Sequence, residues 1–264
     1  MTLKRNIISI TRLGRDMNTG LQDQIAGLEM LKSKKFLMAE KISPWCLIRK
    51  APGSAATQIN KRLYRAWGKR ALDLVGGCAL MVFLFPIFCI SWIAVMLTSR
   101  GPTIFAQERI GLNGKPFVFY KFRSMYIDQE SRVDMKKIKE GEANGFLYKT
   151  DDDPRITPVG RFIRKASIDE LVQIWNVIRG DMSLVGPRPL VPHMLAPYPE
   201  IMKHRSKIRP GLTGLWQVSD RENNTSVLGM VKYDRHYVEN YSMTMDLLIL
   251  LKTPLVVILA RGAK

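Results

Sequence analysis

From Leu74 to Thr98 the chain runs 25 residues without a charge, LVGGCALMVFLFPIFCISWIAVMLT, its longest uninterrupted apolar run. A straight helix of that length would measure about 37 Å, enough to cross a hydrocarbon core of about 30 Å. Pro86 divides the run into 12 and 13 residues. Helices of those lengths span roughly 18 and 20 Å, so neither half crosses alone. A proline in mid-helix removes one hydrogen bond and crowds the carbonyl four residues back, on Val82, which favours a bend. Lys61, Arg62, Arg65, Lys69 and Arg70 precede the run, and Arg100, Arg109, Lys115, Lys121 and Arg123 follow it. Cytoplasmic positive charge on both sides is satisfied if the segment enters and leaves by one face. A transmembrane span and a re-entrant hairpin bent at Pro86 both fit this pattern.

After the run the period changes to two. Thr103–Gln107 and Pro116–Phe122 read as strands, with Asn113-Gly114 as the hairpin turn and Lys121 and Arg123 as cations at the end of the second strand. Residues Asp128–Gly145 are charged and read as a helix plus loop. Asp151-Asp152-Asp153-Pro154-Arg155 fits either a solvated turn or a metal-binding sequence. From Ser167 the period is helical: Ile168, Leu171, Ile174, Trp175 and Ile178 repeat on one face, and Gly180 stands at the C-cap position. Ser167 with Glu170 has the form of a capping box, which would place Asp169 and Glu170 in a first turn whose dipole favours ionised carboxylates. Arg161, Arg164 and Lys165 lie just before, and Gly186-Pro187-Arg188-Pro189 puts another cation on a stiff turn just after. Carboxylates ringed by fixed cations suit phosphoryl chemistry with a divalent metal; a capped surface helix with solvated charges would show the same spacing.

Further on, Arg209-Pro210-Gly211-Leu212-Thr213-Gly214 is a turn-rich loop carrying one cation, able to cradle a phosphate or simply to turn. Tyr233–Tyr241 reads as a helix with Tyr233 and Tyr237 on one face. Leu247–Ala260 is apolar but broken by Lys252 and Pro254, so it is a core helix or one lying in a membrane interface. Residues 1–60 are basic, with weak helical periodicity over Leu21–Phe36 and a Pro/Gly/Ser/Ala-rich stretch at Ala51–Thr57. They read as an arm and linker, without the apolar core of a secretory signal and without further transmembrane helices.

Charge narrows the partners. The 264 residues carry 41 Lys+Arg against 23 Asp+Glu, a net +18, and residues 1–70 hold 15 and 4 of these, a net +11. Nucleic acid, anionic lipid and phosphorylated substrates all match that sign. A nucleic-acid module would interleave its basic stripe with stacking aromatics, whereas the aromatics here cluster in apolar or interfacial runs. Three cysteines without a C-x-x-C favour a reducing compartment and no zinc site, and His193, His204 and His236 are too dispersed for a ligand set. Neither a P-loop nor a G-x-G-x-x-G sequence is present.

The block DPRITPVGRFIRKASIDEL, followed by WNVIRGDMSLVGPRP, with KFRSM before it and RPGLTGLWQVS after it, resembles the bacterial sugar transferases, the monotopic polyprenyl-phosphate phosphoglycosyl transferases, over roughly Lys69 to Lys252. The resemblance implies transfer of a sugar 1-phosphate from a nucleoside diphosphate sugar to undecaprenyl phosphate at the cytoplasmic face of the inner membrane. It puts a catalytic Asp-Glu dyad on Asp169, the nucleophile, and Glu170, which helps hold Mg²⁺. It also puts phosphate-binding arginines on Arg164 and Arg188, and the proline of a re-entrant membrane helix on Pro86. Three positions depart from the family pattern: Val172 stands where many relatives have Pro, Phe85 where many have Ser, and Asp220 where the loop usually has Gly. None touches the dyad.

The expectation is therefore a mostly helical α+β protein: a basic arm and linker over 1–60, a re-entrant membrane helix over 61–100, and a cytoplasmic catalytic domain over 101–264 with an interfacial C-terminal helix. Asp169 and Glu170 are the expected catalytic and metal-holding residues. Arg164, Arg188, Arg123, Lys121, Arg209, Pro187 and Pro189 are the expected phosphate- or substrate-binding set. The expected partners are Mg²⁺, a UDP-sugar (a hexose, from the WQVS loop and the long GPRPLVPH segment), undecaprenyl phosphate and anionic lipid. A homodimer is compatible with this reading and nucleic acid is not a partner. Another membrane-bound nucleotide-sugar or phospholipid phosphotransferase, or a basic membrane-surface scaffold, are the competing readings.

Overall fold

A computed structural model describes residues 60–127, 153–220 and 227–259. The expected N-terminal arm, the Asp128–Gly145 helix, Asp151 and Asp152 lie outside these residues.

The apolar run forms one continuous helix. It extends over Asn60–Thr98, opening with a π-helical turn at Tyr64–Gly68 and continuing as α1, Lys69–Thr98. The break expected at Pro86 is not seen, because α1 runs through the proline. Contacts on either side brace it there: Leu80 packs on the main core, and the Phe88 ring stands 5.1 Å from that of Phe122. A missing N–H is tolerable in a helix whose flanking turns are held by neighbours. The far side of α1 is bare, with Phe83 79% and Leu97 77% exposed. By length and composition α1 is a candidate membrane segment.

The period-two stretches form an antiparallel hairpin of β1 (Ile104–Ile110) and β2 (Pro116–Phe122), in register from Ile104↔Phe122 to Ile110↔Pro116. Asn113 (φ 56°) and Gly114 (φ 76°) turn it, as the Asn-Gly pair predicts. The chain then returns along the hairpin: Met125 bridges to Ile156, and the Ser124 carbonyl accepts from Thr157 N at 3.0 Å. Thr157 caps α2 (Pro158–Lys165), its hydroxyl accepting from Gly160 N at 2.8 Å. Any side chain at Gly160 would meet the Ser124 carbonyl, so glycine lets α2 lie this close to β2.

A 3₁₀ turn at Ile168–Glu170 leads into α3 (Gln173–Arg179), and α3 into β3 (Ser183–Val185). Short helices α4 (Pro192–Leu195) and α5 (Pro199–Arg205) follow. The Gly-rich segment after Arg209 is a strand rather than an open phosphate loop: β4 (Gly211–Thr213) pairs in parallel with β3. Its backbone approach is so close that a Cβ on Gly186 or Gly211 would strike main chain. Helices α6 (Leu215–Ser219), α7 (Val227–Asn240) and α8 (Met243–Ile258) complete the described chain. The main core gathers Phe119 from β2, Val177 from α3, Leu184 and Val185 from β3, Tyr237 from α7, and Met245 and Ile249 from α8. The outer face of α8 leaves Leu251 and Ile258 exposed.

Candidate active site

Asp169 and Glu170 occupy the 3₁₀ turn, and the expected capping box is absent. Ser167 is left-handed (φ 54°, ψ 22°), makes no side-chain cap, and its buried Oγ has no partner. The positive φ reverses the chain between α2 and the turn, which leaves Glu170 free to reach Arg188. Arg188 Nη2 donates to Glu170 Oε1 at 3.1 Å across the closed end of the site.

Three cations converge on Asp169. Lys121 comes from β2, Arg164 from the last turn of α2, and Arg188 from the turn after β3; each acts electrostatically on its carboxylate. Burial, then the neighbouring Glu170 charge, push the Asp169 carboxyl up to about 6 against the pull of those cations. The sequence-based expectation that a helix dipole favours its ionised form is thus reversed. Helix α3 does not begin until Gln173, and desolvation dominates. Burial likewise lowers the Lys121 ammonium to about 8, resisted by the Asp169 charge. Lys121 also lies 5.1 Å over the Phe105 ring.

Asn176 brings these groups together. Fully buried in α3, it donates from Nδ2 to the Val118 carbonyl at 2.7 Å and accepts from Tyr120 N at 3.3 Å. This latch holds the dyad-bearing segment against β2 and so sets Lys121 beside it. Nothing in the hydrophobic period marks Asn176 out.

Two expected substrate cations are employed elsewhere. Arg123 is buried at the exit of α1: Nη2 donates to the Ser99 carbonyl at 2.6 Å and to Ser99 Oγ at 2.8 Å, and Nη1 donates to the Pro102 carbonyl. Arg209 Nε donates to the Gly180 carbonyl at 2.8 Å, at the C-terminal end of α3. The dyad lies beyond the opposite end of that seven-residue helix, which is itself about 10 Å long. Pro187 and Pro189 are buried and stiffen the Arg188 turn from both sides. Asp153 belongs to a structural pair, its carboxylate held below the usual range by Arg155 despite burial, with Arg155 Nε 2.9 Å from Oδ1.

Leu171 and Val172, just after the dyad, line an apolar cavity of about 290 Å³ together with Trp175 of α3 and Phe85, Phe88 and Trp92 of α1, among others. Phe85 and Val172, two of the departures from the family pattern, thus meet in one wall. The third, Asp220, accepts from the Tyr233 hydroxyl at 3.0 Å. The carboxylate pair thus has cations around it, and the two residues that follow it line an apolar cavity. Among the described residues no group of three or more His, Cys, Asp or Glu gathers in a metal-holding cluster. The two adjacent carboxylates still fit a hard divalent cation that completes its shell with water and substrate oxygens.

Residues 64–260 match the family model for the bacterial sugar transferases. The chain is 43% identical over 196 residues to a galactosyl transferase, CpsE, of Streptococcus agalactiae, covering 74% of this chain and 43% of that protein. It is 41% identical over 203 residues to the undecaprenyl-phosphate galactose phosphotransferase of Salmonella typhimurium, covering 74% and 41%. To the exopolysaccharide production protein ExoY of Sinorhizobium fredii it is 40% identical over 199 residues, covering 74% and 87%. The chain thus spans less than half the length of the first two relatives and most of the third. With that extent of match, and a carboxylate pair set in a cationic site beside an apolar helix, the chain belongs to the bacterial sugar transferase family.

Proposed function

We propose that this protein transfers a sugar 1-phosphate, from a UDP-hexose, to undecaprenyl phosphate, working from the cytoplasmic face of a bacterial inner membrane in exopolysaccharide, capsule or O-antigen synthesis. The carrying observation is the convergence of three cations on Asp169, with an apolar cavity walled by α1 beginning two residues further on, at Leu171. A diphosphate needs the first and a polyprenyl phosphate needs both.

In this reading an Asp169 carboxylate oxygen attacks the β-phosphorus of the donor. The bond from that phosphorus to the bridging oxygen breaks, UMP leaves, and an aspartyl phosphosugar remains. A phosphate oxygen of the lipid then attacks the same phosphorus and restores the carboxylate. An anion attacking an anion is slow unless the charge between them is neutralised, which Lys121, Arg164 and Arg188 do without reorganising. With its carboxyl raised only to about 6, below neutral pH, Asp169 attacks as the carboxylate and needs no base to activate it. Glu170, with Asp169, would hold Mg²⁺, whose contribution is to neutralise phosphate charge.

Docking of α1 supports a membrane segment that stays on one side. Near its start, Arg70 donates to the Val177 and Ile178 carbonyls at 2.7 Å, and Asp73 accepts from Ser183 Oγ and Leu184 N at 2.8 Å. Past its end, the Ser99 carbonyl and hydroxyl are held by Arg123. Both ends rest on one domain, so crossing would draw that domain into the hydrocarbon. The bare outer faces of α1 and α8 are the surfaces that would meet lipid.

Protein mixed with UDP-hexose alone should release close to one equivalent of UMP and gain the mass of a hexose phosphate on Asp169. Asp169→Asn should lose both signals. The rival mechanism is direct attack by the lipid phosphate in a ternary complex. A strict requirement for undecaprenyl phosphate before any UMP appears, with no adduct trapped, would sink the double displacement.

A further inference from the structure

The turn that presents Arg188 to Glu170 is fastened at nearly every residue. Gly186 N donates to the Thr213 carbonyl at 2.9 Å, Gly211 N to the Pro187 carbonyl at 2.9 Å, and Ile110 N to the Leu190 carbonyl at 3.1 Å. These three bonds are main chain to main chain. The Arg188 carbonyl is different, because it accepts from a side chain, Arg205 Nη2, at 2.7 Å. Prolines on both sides narrow the backbone choices of Arg188, and the Arg205 bond fixes the carbonyl within what remains.

Arg205 is itself held. It is 6% exposed at the end of α5, and its Nε lies 3.1 Å from Oδ2 of Asp234 on α7, which is 3% exposed. A buried ion pair of this kind adds little net stability over apolar residues of the same size, because desolvation offsets the attraction. Here the pair is also imperfect, because Nε and Oδ2 are close without hydrogen-bond geometry, and Asp234 Oδ2 and Arg205 Nη1 are both buried without a hydrogen-bond partner. Burial pushes the Asp234 carboxyl up to about 6 even with Arg205 beside it. Such a pair is a poor way to hold α5 to α7, but its geometry suits another task. One planar group carries both contacts: the charge of Asp234 lies beside Nε, and Nη2 donates to the carbonyl beneath the Arg188 side chain.

We infer that Arg205 and Asp234 are positioning residues for the transfer site: the Asp234–Arg205 pair sets the orientation of Arg188, and through it the grip on Glu170 and the substrate phosphates. The inference rests on the transferase reading above. It needs guanidinium at 205, whose Nε and Nη2 reach Asp234 and the carbonyl from fixed, separate positions in one plane, a spacing that a single lysine nitrogen does not reproduce.

The test is a cycle with Arg188. Replacing the pair by apolar residues of similar volume, Arg205→Met with Asp234→Leu, should leave Tm unchanged or raised while kcat/KM for UMP release falls on the order of ten- to a hundredfold, the usual loss when a supporting shell is removed. The same swap made in an Arg188→Ala background should change kcat/KM by less than about twofold, because a residue acting only through Arg188 has nothing left to position. Should the swap lower Tm, Arg205→Lys carries the same cycle with the charge against Asp234 kept. Equal losses in both backgrounds, or no loss in either, overturn the inference while leaving the transferase reading intact. A wild-type protein that releases no UMP sinks both.

Discussion

At the residue scale, the dyad is legible because the two carboxylates and the arginine before them stand in one short segment. Its electrostatics are not. The sequence counts Arg123, the cation at a strand end, and Arg209, the cation of a Gly-rich loop, with the site, yet each faces main-chain carbonyls, one at the end of α1 and one at the end of α3. Adjacency also hides Asn176 and Arg205, which act from a distance in sequence. The raised carboxyl of Asp169 has a testable consequence. Its pKa lies near 3.9 in an unfolded chain and near 6 in the fold. The neutral acid is thus the form the fold prefers, so its stabilising contribution is complete below about pH 4 and is lost as pH rises through 6. Asp169→Asn, locked neutral, should therefore raise Tm by a few degrees at pH 7, with the advantage shrinking towards pH 4. A Tm that falls at neutral pH would show that the three cations, not burial, dominate. UMP release by the wild type should fade below pH 6 as the nucleophile protonates, and above pH 8 as Lys121 loses its charge. Glu170 is adjacent, so the acid limb belongs to the dyad rather than to Asp169 alone.

At the element scale, strong local signals survive into the fold. Alternation and an Asn-Gly turn specify the β1–β2 hairpin, and apolar content specifies α1 and α8. Weak local signals yield to packing. The capping-box pattern fails because Ser167 takes a left-handed conformation that reverses the chain, and the Gly-rich loop becomes β4 because β3 is available beside it. How α1 is joined to the rest is invisible in any local window. Asp246 on α8 is fully buried and accepts from Lys69 Nζ at 2.7 Å, from the Tyr237 hydroxyl at 2.6 Å and from the Tyr64 hydroxyl. Lys69 Nζ also reaches the Val185 carbonyl at 2.9 Å. One carboxylate thus ties the start of α1 to α7, α8 and β3. Asp246→Ala would leave the Lys69 ammonium without its counter-charge and take an acceptor from each of two tyrosine hydroxyls, at a cost of about 3–5 kcal/mol. Thermal unfolding in detergent should show that loss. Asp246→Asn should recover part of it, because its one amide oxygen keeps an acceptor for one of the two hydroxyls. A change of less than about 1 kcal/mol for Asp246→Ala would mean that the network is solvated in the working protein.

At the scale of the whole molecule, the sequence alone leaves two topologies open, because 25 uncharged residues are long enough to span and Pro86 is able to bend them. The one-sided reading proposed above does not depend on the bend. Helix α1 is continuous, yet Arg70 near one end and Ser99 just past the other are both bonded to the same domain. If that domain is cytoplasmic, single cysteines at Arg62 and Arg100, both exposed positions, should stay unlabelled by an impermeant thiol reagent in intact cells. Both should label after permeabilisation. The background must lack the native cysteines, since Cys78 is exposed and Cys89 partly so. Labelling at one position only in intact cells would mean a true span, and would require α1 to leave the domain at one end. Pro86→Ala restores the hydrogen bond to Val82 and removes any tendency to bend. In a re-entrant segment that change would shift part of the population towards spanning and expose one flank. With α1 clamped at both ends, labelling should instead remain as in the parent, because the anchors at Arg70 and Arg123, rather than the proline, keep the helix on one side.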